Sequence, residues 1–382
     1  MKIRVYAETF KNTVQRITPV IPKRSVFAHL QSVRIIAESN DTITLYACDM
    51  TNSVSITIPG IVHEIGYADV MFDDLKKIVN IKDDVVITDS IESGTIEFRT
   101  SKKTYTVISS HYDGVPMIEF GKVASETEIP ESILANLKPL ATMKSDNEYD
   151  GMMTGIFFDL KHSRIATLDS HRIGILNIDV PVAESFIAQG ETVPILKSLI
   201  GKRNDGNIKV SFCKDKNIVM FSGEDFTFSQ KAIEGKYYDI DKIYKNCKNY
   251  HDAVFTVDHK EITEISKEYK KVIPADDRKP MILAESNGVI CTGICLPTYR
   301  TSDVLETAKI KNCYDGFYIG VNPAYIVDAA SFIGKELEIR MTTRKAPMYI
   351  SDEDHVKECI VLPVNCTGDA SGYVEFIRKQ AG

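Results

Sequence analysis

Two short motifs in this chain bring together residue types that can act in catalysis. Asp169-Ser170-His171 offers a carboxylate beside an imidazole, which could form an acid–base pair or supply two metal ligands. Residues 145–147 (SDN) and 211–214 (SFCK) carry the residue types of a serine-nucleophile site, but in the reverse of the chain order that serine β-lactamases use. No third partner completes either set. We therefore interpret the serine motifs as chance and Asp169–His171 as a turn at a strand end.

The eight cysteines indicate neither a metal site nor a disulfide framework. Cys291 and Cys295 lie four positions apart, with no nearby His or second cysteine pair to complete a zinc site. The chain has no P-loop, dinucleotide fingerprint or zinc-protease motif. It also has neither a signal peptide nor an apolar run of the ~18 residues that a membrane span needs. We expect no catalytic residues, no cofactor and no metal, in a cytoplasmic protein with reduced thiols.

One helical pattern occurs three times along the 382 residues. In each copy, apolar residues recur three or four positions apart, as on one face of a helix. The three copies begin near Ala7, Pro130 and Asp258. A second helical pattern follows 63–65 residues later in every copy. Its copies begin near Phe72, Val193 and Asn322. Pro139 should end or kink the first helix of the second copy, because proline lacks the backbone N–H that a helix interior uses.

Runs that alternate with a period of two separate the helical patterns, and Asn, Asp and Gly turns bound them. This is the pattern of half-buried antiparallel strands. Two helices on one face of an antiparallel sheet, repeated three times, predict an α+β fold of three similar domains. We predict domains at residues 1–125, 126–250 and 251–365, followed by an extension at 366–382. The alternative is one large α+β domain whose regular spacing is accidental.

Positive charge is concentrated in the six helical segments. They carry fifteen basic and nine acidic residues, a net charge of +6, whereas the whole chain has −7 and the remainder therefore −13. If the helices share one face, that face could hold phosphates without reading a base sequence. The alternative is that lysine is simply common on exposed helix faces.

Four segments resemble those of the bacterial DNA sliding clamp, the beta subunit of DNA polymerase III. They are residues 154–173 (ending LDSHRI), 231–239 (KAIEGKYYD), 319–328 and 360–364 (IVLPV), and they occur in the family's order. The resemblance spans the chain up to the extension, which continues beyond the usual end of the family. Ser170 and Tyr238 stand where the family usually has Gly and Pro, and Asp150 stands where many members have a basic residue.

The resemblance implies three repeated clamp domains and a ring that closes as a head-to-tail homodimer. Such a ring encircles duplex DNA and tethers a DNA polymerase for processive synthesis, while a separate ATP-driven loader opens it. The implied partners are duplex DNA of any sequence, a second copy of the chain, and a polymerase and clamp loader that bind through short peptides. These peptides carry a Gln and a hydrophobic pair. No membrane partner is implied.

The resemblance also implies three sets of site residues. The peptide-binding pocket would consist of Met153, Leu168, Ser170, His171, Ile173, Tyr238, Lys242, Ile243, Ile360, Val361, Leu362, Pro363 and Val364. The DNA-facing residues would be Arg24, Lys197, Lys202, Arg203, Arg278 and Lys279. The dimer interface would bring Tyr105 and Val107 against Val272 and Ile273.

The extension allows two interpretations. It begins with small polar residues, as a mobile terminus would, and then carries Tyr373, Val374, Phe376 and Ile377. These apolar residues could fold back and compete with partner peptides. For the whole chain, two further functions stay open: a clamp-like interaction hub outside replication, and a hydrolase that uses Asp169 and His171.

Overall fold

A computed structural model describes residues 1–38, 41–110, 114–202, 205–273, 279–365 and 370–379. It divides into two compact units. The first consists of Met1–Lys138 with Val180–Glu234, and the second of Pro139–Asp179 with Gly235–Gly382. These units do not follow the three predicted segments, so the three domain boundaries stay a prediction.

The helices include the six that the sequence predicts and two that it does not. The described helices are α1 (Ala7–Ile17), α2 (Phe72–Ile78), α3 (Glu131–Ala135), α4 (Lys138–Ala141), α5 (Thr192–Ile200), α6 (Ile240–Cys247), α7 (His259–Val272), α8 (Pro323–Ile333) and α9 (Ala370–Arg378). The predicted break at Pro139 is confirmed, because α3 ends at Ala135 and Pro139 lies in the first turn of α4. Helices α6 and α9 were not predicted.

The strands occupy most of the remaining chain. They are β1 (Lys2–Val5), β2 (Ser32–Ala37), β3 (Thr42–Cys48), β4 (Asn52–Pro59), β5 (Ile61–Glu64), β6 (Gly66–Met71), β7 (Val85–Ser90), β8 (Thr95–Arg99), β9 (Thr104–Ser110), β10 (Ser125–Pro130), β11 (Ile156–Asp159), β12 (Arg164–Leu168), β13 (Arg172–Asn177), β14 (Phe186–Ala188), β15 (Asn207–Cys213), β16 (Ile218–Ser222), β17 (Phe226–Lys231), β18 (Ala253–Asp258), β19 (Met281–Ser286), β20 (Val289–Cys295), β21 (Arg300–Val304), β22 (Lys309–Asn312), β23 (Tyr318–Val321), β24 (Glu336–Met341), β25 (Met348–Ser351) and β26 (Lys357–Val361).

One arrangement of strands around two helices occurs three times. The strand before the first helix pairs with the strand after the second helix, in β1–β7, β10–β15 and β18–β24. That later strand then begins an antiparallel meander, which is β7–β8–β9, β15–β16–β17 or β24–β25–β26. A second meander follows the first helix, in β2–β3–β4, β11–β12–β13 and β19–β20–β21. The threefold pattern in the sequence therefore corresponds to a threefold pattern of pairing.

Two strand pairs join one copy of this arrangement to the next. In the first unit, β17 pairs antiparallel with β4, and Phe228 lies opposite Val54. In the second unit, β26 pairs antiparallel with β13, and Cys359 lies opposite Gly174. In both cases the last strand of one kind of meander meets the last strand of the other kind.

Strand alternation and helix periodicity build the core of the first copy from local sequence. In β8, Ile96 and Phe98 are fully buried, while the residues between and around them are more exposed. Helix α1 buries Phe10, Val14 and Ile17 on one face, and the Phe10 and Phe98 rings lie 6.3 Å apart. Burying such a side chain stabilises the fold by about 1.5–3 kcal/mol.

Helix α9, formed by the extension, covers one face of the β23–β19–β20–β21 sheet. Its residues Val374 and Ile377 are buried in a cluster with Ile282, Ala284 and Cys291. Arg378 fixes the end of the helix by donating hydrogen bonds to the carbonyl groups of Glu285 (3.0 Å) and Phe317 (3.0 Å).

Helices α9 and α7 lie on opposite faces of this sheet. Tyr269 of α7 donates a hydrogen bond to the Asp303 carboxylate, whereas the neighbouring β21 residue Val304 packs against the α9 cluster. Adjacent residues of a strand point to opposite faces. We call the face covered by α9 the outer face. The extension therefore folds back, as one interpretation proposed, but onto strands that carry none of the predicted pocket residues.

Candidate functional site

The candidate site begins at the turn between β12 and β13. The Asp169 carboxylate accepts hydrogen bonds from the backbone N–H groups of His171 (2.8 Å) and Arg172 (2.9 Å). This side-chain cap explains why the motif forms a tight turn. The turn holds Ser170 and His171 exposed at its tip, while Leu168 and Ile173 on its two sides are buried.

Strand β26 lies beside β13 and forms a second wall of the site. Ile360 pairs directly with Ile173, and the Leu362 N–H donates to the His171 carbonyl group at 2.8 Å. Leu362 keeps 38% of its surface exposed, although it follows a buried strand. An apolar side chain is thus held at the surface beside the turn.

Helix α6 and the residues before it form the third wall. Ile243 and Tyr238 are 43% and 47% exposed. The helix is fixed by the buried Arg164, which donates hydrogen bonds to Asp159 (2.7 Å) and to Asp241 (2.8 Å) in the first turn of α6. Because the positively charged Arg164 donates this hydrogen bond to the Asp241 carboxylate, the pKa of Asp241 lies below its usual value.

These walls enclose a cavity of about 250 Å³. It is lined by Met153, Leu168, Asp169, Ser170, His171, Arg172, Ile173, Tyr238, Ile243, Ile360 and Leu362. Nine of these are residues predicted from the sequence. An apolar cavity with a few polar groups at its rim has the character of a ligand-binding site. Binding of a peptide there stays a prediction.

Four of the predicted pocket residues do not line this cavity. Lys242 is exposed and lies 3.9 Å from the Asp239 carboxylate. Val361 is buried within the sheet, opposite Arg172. Pro363 and Val364 are half-buried, and the Val364 N–H donates to the Gly320 carbonyl group at 2.8 Å.

Asp169 and Arg172 line the cavity although the sequence did not single them out for it. The Arg172 guanidinium donates hydrogen bonds to the carboxylates of Asp169 (2.9 Å) and Asp328, and lies 4.6 Å from the Tyr325 ring centre. Burial lowers the pKa of Arg172, but the hydrogen bond to Asp328 and the Asp169 charge outweigh it, so the pKa lies above its usual value. The guanidinium is a permanent charge that fixes the turn against α8.

This geometry does not favour acid–base catalysis by Asp169 and His171. Both oxygen atoms of the Asp169 carboxylate accept hydrogen bonds from the backbone or from Arg172. The His171 ring instead lies 5.8 Å from the Tyr325 ring, centre to centre. Within the described ranges, no group of three or more His, Cys, Asp or Glu side chains is arranged to hold a metal ion.

The predicted DNA-facing residues lie on several elements. Arg24 is exposed in the loop after α1, Lys197 is exposed on α5, and Lys202 is exposed just beyond it. Lys279 is half-buried before β19. Arg203 and Arg278 lie outside the described residues. On α2, Lys76 and Lys77 pair with Asp73 (2.6 Å) and Asp74 (2.8 Å), so this helix adds less positive charge than its lysines suggest.

The predicted interface residues are half-exposed at two places. Tyr105 and Val107 lie on β9, on the same face as Phe98. Val272 ends α7 and Ile273 follows it. Apart from the short pairing of Ser109 and Ser110 with β6, the described partner of β9 is β8 alone. Similarly, β21 pairs only with β20 among the described strands.

A larger cavity, of about 510 Å³, lies in the first unit beside the loop that carries Arg24. Phe72 and Met71 form an apolar side, and Lys23 and Lys76 lie at its rim. Its larger volume alone does not make it the better candidate site. The cavity beside Asp169 has apolar side chains on all three walls, whereas charged side chains such as Lys23 and Lys76 lie at the rim of this one.

Comparison with solved structures gives consistent matches to bacterial sliding clamps. The DnaN sliding clamp from Pseudomonas aeruginosa bound to griselimycin has a TM-score of 0.86 at 16% identity, and that from Bartonella birtlesii bound to griselimycin 0.85 at 19%. The beta subunit from the DNA polymerase of Streptococcus pyogenes has 0.87 at 15%. Each match covers 96% of this chain and 100% of the other. No model of a protein family matches the chain, and no curated protein matches it.

The chain therefore has the α+β DNA sliding clamp fold, with helices packed on large antiparallel sheets. Identities of 15–19% establish this fold. Because the solved chains are matched in full while part of this chain is not, this chain carries residues that those clamps lack. No helix in the described part of the chain is long and apolar enough to cross a membrane.

Proposed function

We propose that this protein is a DNA sliding clamp, a ring of two chains that encircles duplex DNA and tethers a polymerase to it. The observation that carries the proposal is the incomplete pattern of strand pairing. Two of the three copies are joined to the next by the same antiparallel pair, β4–β17 and β13–β26. The strands that would form the third such pair are β21 and β9. Among the described strands, β21 has an open edge, and so does β9 before its short pairing with β6 at Ser109 and Ser110.

A second copy of the chain can complete this pattern twice. If β9 of each chain pairs with β21 of the other, both open edges are closed and the assembly is a head-to-tail ring with twofold symmetry. Open strand edges are liable to pair with other chains, and a closed ring removes that liability. The half-exposed Tyr105 and Val107 on β9, and Val272 and Ile273 near the end of α7, would then be covered.

The repeat also predicts the register of this intermolecular pair. Tyr105 lies opposite Phe98 as Cys359 lies opposite Ile350, so Tyr105 corresponds to Cys359. On the other strand, Thr301 corresponds to Val54. Starting from the strand before α2, the pairs β6–β2, β2–β3 and β3–β4 lead to Val54. Starting from the strand before α8, the equivalent pairs β23–β19, β19–β20 and β20–β21 lead to Thr301.

Phe228, the counterpart of Tyr105 in the second copy, pairs with Val54. We therefore expect Tyr105 to lie opposite Thr301 of the partner subunit, and Thr106 opposite Arg300 of the partner subunit. The side-chain directions agree with this register. Tyr105 and Thr301 both point to the helix side of their sheets, and Thr106 and Arg300 both point away from it.

A ring needs only weak contacts with the DNA that passes through it, because threading prevents its loss. Exposed lysines such as Lys197, Lys202, Lys267 and Lys270 on or near the helices can contact phosphates without reading bases. The chain outside the six helical segments carries a net charge of −13, so the rest of the surface is unsuited to DNA. This arrangement favours sliding over fixed binding, and it requires no catalytic residue in the chain.

The cavity beside Asp169 is the proposed docking site for polymerase and loader peptides. Its apolar walls at Leu168, Ile173 and Ile360 suit the hydrophobic pair of such a peptide, while His171 and Arg172 offer polar groups at the rim. Griselimycin, which is bound in the Pseudomonas aeruginosa and Bartonella birtlesii clamps, is a direct probe for ligand binding.

We infer that the protein acts in the cytoplasm, on the DNA of the nucleoid.

Sedimentation combined with electron microscopy of the purified protein tests this function. We expect a dimer at micromolar concentration and ring-shaped particles with a central hole. The double variant Val272→Glu/Ile273→Glu should sediment as a monomer, whereas the control Ile65→Glu, which changes a residue that is 68% exposed, should remain a dimer. A wild-type protein that is monomeric under these conditions would overturn the proposal. A ring that never associates with replication proteins in pull-downs would favour the interaction hub instead.

A further inference from the structure

We propose that helix α9 of one subunit extends across the subunit interface and covers Ile108 of the partner subunit. The inference rests on the proposed ring and names a second, outer contact within it. The extension would thus contribute to the interface between subunits in addition to covering its own sheet.

Ile108 is an apolar residue in an unusual place. It belongs to β9, where Tyr105 and Val107 point to the helix side and Thr104, Thr106 and Ile108 point to the other face. It is 77% exposed. Within the described part of its own unit, the residue opposite it is Thr95, which gives it no apolar neighbour across the strand.

Helix α9 reaches the open edge of the β21 sheet. The guanidinium of Arg300, the first residue of β21, lies 5.9 Å from the centre of the Tyr373 ring. Val304 at the other end of β21 packs against the α9 cluster, and Tyr373 and Phe376 are only partly buried there. The aromatic side chains of α9 therefore lie over the strand that the partner would join.

The predicted register brings Ile108 towards these aromatic side chains. Thr106 lies opposite Arg300 of the partner subunit, and Ile108 is the next residue of β9 on the same outer face. Neighbouring strands lie about 4.8 Å apart, and diagonal neighbours on one face lie about 7–8 Å apart, within reach of an aromatic side chain. A helix about 10–12 Å wide that covers β19 to β21 extends to the position of the added strand. We assign Tyr373 to this contact, because its ring already lies over the Arg300 guanidinium.

A second copy of this chain is the occupant that the observations favour. It supplies an exposed isoleucine, on the correct face of a strand with an open edge, to a helix with half-exposed aromatic residues at the matching edge. The contact continues outward from the proposed pairing of β9 with β21, so both surfaces lose water in the same association step.

A double-mutant cycle on dimer dissociation tests this contact. Sedimentation equilibrium should give an approximately 30-fold weaker dimer for Ile108→Ser, because the ring contains this contact twice and each copy loses about 1 kcal/mol of apolar burial. The control Ile91→Ser changes an isoleucine of similar exposure, 74%, and should alter dissociation less than about twofold. In a Tyr373→Ala background, Ile108→Ser should also have less than about a twofold effect, because its contact is already missing.

Oxidative cross-linking gives a second measurement, which reports the proximity of the two residues directly. The variant Ile108→Cys/Tyr373→Cys should form a disulfide-linked dimer, and each single cysteine variant should not. If Ile108→Ser leaves dissociation unchanged and the double cysteine variant stays uncross-linked in a protein that is dimeric, the inference is wrong and the ring stands. If the unmodified protein is a monomer, the ring and the inference fail together.

Discussion

Ile173 of β13 lies directly opposite Ile360 of β26, and both side chains line the same cavity. Residues more than 180 positions apart in sequence thus form one apolar wall, and the pairing of the two strands fixes their spacing. Leu362, just beyond β26, continues this wall to the surface. The sheet itself therefore forms this wall of the cavity.

Leu362 is the best residue with which to test peptide binding. It is partly exposed, and it lies just beyond β26, so its side chain is not part of the pairing between β26 and β13. The change Leu362→Glu should weaken binding of a peptide with a Gln and a hydrophobic pair, or of griselimycin, by about 30-fold or more. This is the roughly 2 kcal/mol that marks an important interface residue. Calorimetry can measure it.

The matched control is Val356→Glu, since Val356 is 42% exposed in the same unit and does not line the cavity. It should leave affinity within twofold. Equal affinity for Leu362→Glu and the wild-type protein, with the dimer intact, would mean that the peptide binds elsewhere.

The lysines near the end of α5 should contribute to DNA affinity without sequence preference. The double variant Lys197→Ala/Lys202→Ala should bind all duplexes more weakly and by a similar factor. It should also reduce the slope of log affinity against log salt by up to about 3.6, since the ring carries four of these lysines and each phosphate contact contributes about 0.9. Fluorescence anisotropy over a range of salt concentrations measures both quantities.

A control with the same change of charge separates local contacts from net charge. Lys122→Ala/Lys214→Ala removes two exposed lysines that are not on the helices. We expect this variant to retain the wild-type slope. If both double variants lower the slope equally, the DNA contacts are not concentrated at α5.

Helix α9 should stabilise the second unit. Ile377 is fully buried, so Ile377→Ala should lower the free energy of unfolding by about 2–5 kcal/mol, as measured by urea denaturation. The control Glu375→Ala, at an exposed position of the same helix, should change it by less than about 0.5 kcal/mol. Equal stabilities would show that the helix does not hold its place in solution.

The ion pair that fixes α6 should give a distinct dependence of stability on pH. Arg164 holds the pKa of Asp241 below its usual value, so the unfolded state takes up a proton at a higher pH than the folded state does. The pair thus stabilises the fold above the unfolded pKa of about 3.9, and the contribution is lost as pH falls through the lower folded value.

This dependence can be isolated by comparing two asparagine variants between pH 5 and 3. Asp241→Asn should be less stable than the wild-type protein at pH 5, by about 1–2 kcal/mol, and the difference should shrink as the pH falls. Asp239→Asn, at an exposed carboxylate two residues away, should show a nearly constant difference. A gap that does not narrow for Asp241→Asn would contradict the role of the ion pair.

The local elements of the fold were predictable because periodicity records which face of a helix or strand is buried. Phe10, Val14 and Ile17 show this for α1, and alternation around Phe98 shows it for β8. Helix α6 was missed because its few apolar residues lie in a polar stretch just before the predicted boundary at residue 250. Helix α9 was missed because the partners of Val374 and Ile377 lie far away in sequence.

The pairing of distant strands could not be predicted from the sequence either, because the partners again lie far apart along the chain. The β4–β17 pair joins strands whose alternation is compatible with many partners, so the residue opposite Val54 could not be deduced from either strand alone. At the candidate site, the resemblance supplied the apolar lining but not Arg172. Its stabilising partner Asp328 lies 156 positions away, and only the folded chain brings the two together.

The packing of α9 has a consequence for the construction of chimeric clamps. Ile282, Ala284 and Cys291 leave the outer face of their sheet apolar, and Gly293 leaves room for Ile377, since an added Cβ would lie 2.8 Å from its side chain. A chimera that receives residues 251–365 without 366–382 would expose this face and should aggregate. Conversely, grafting the extension onto a clamp with a polar outer face should leave the helix unfolded. The last two segments of this chain are therefore exchangeable only as one piece.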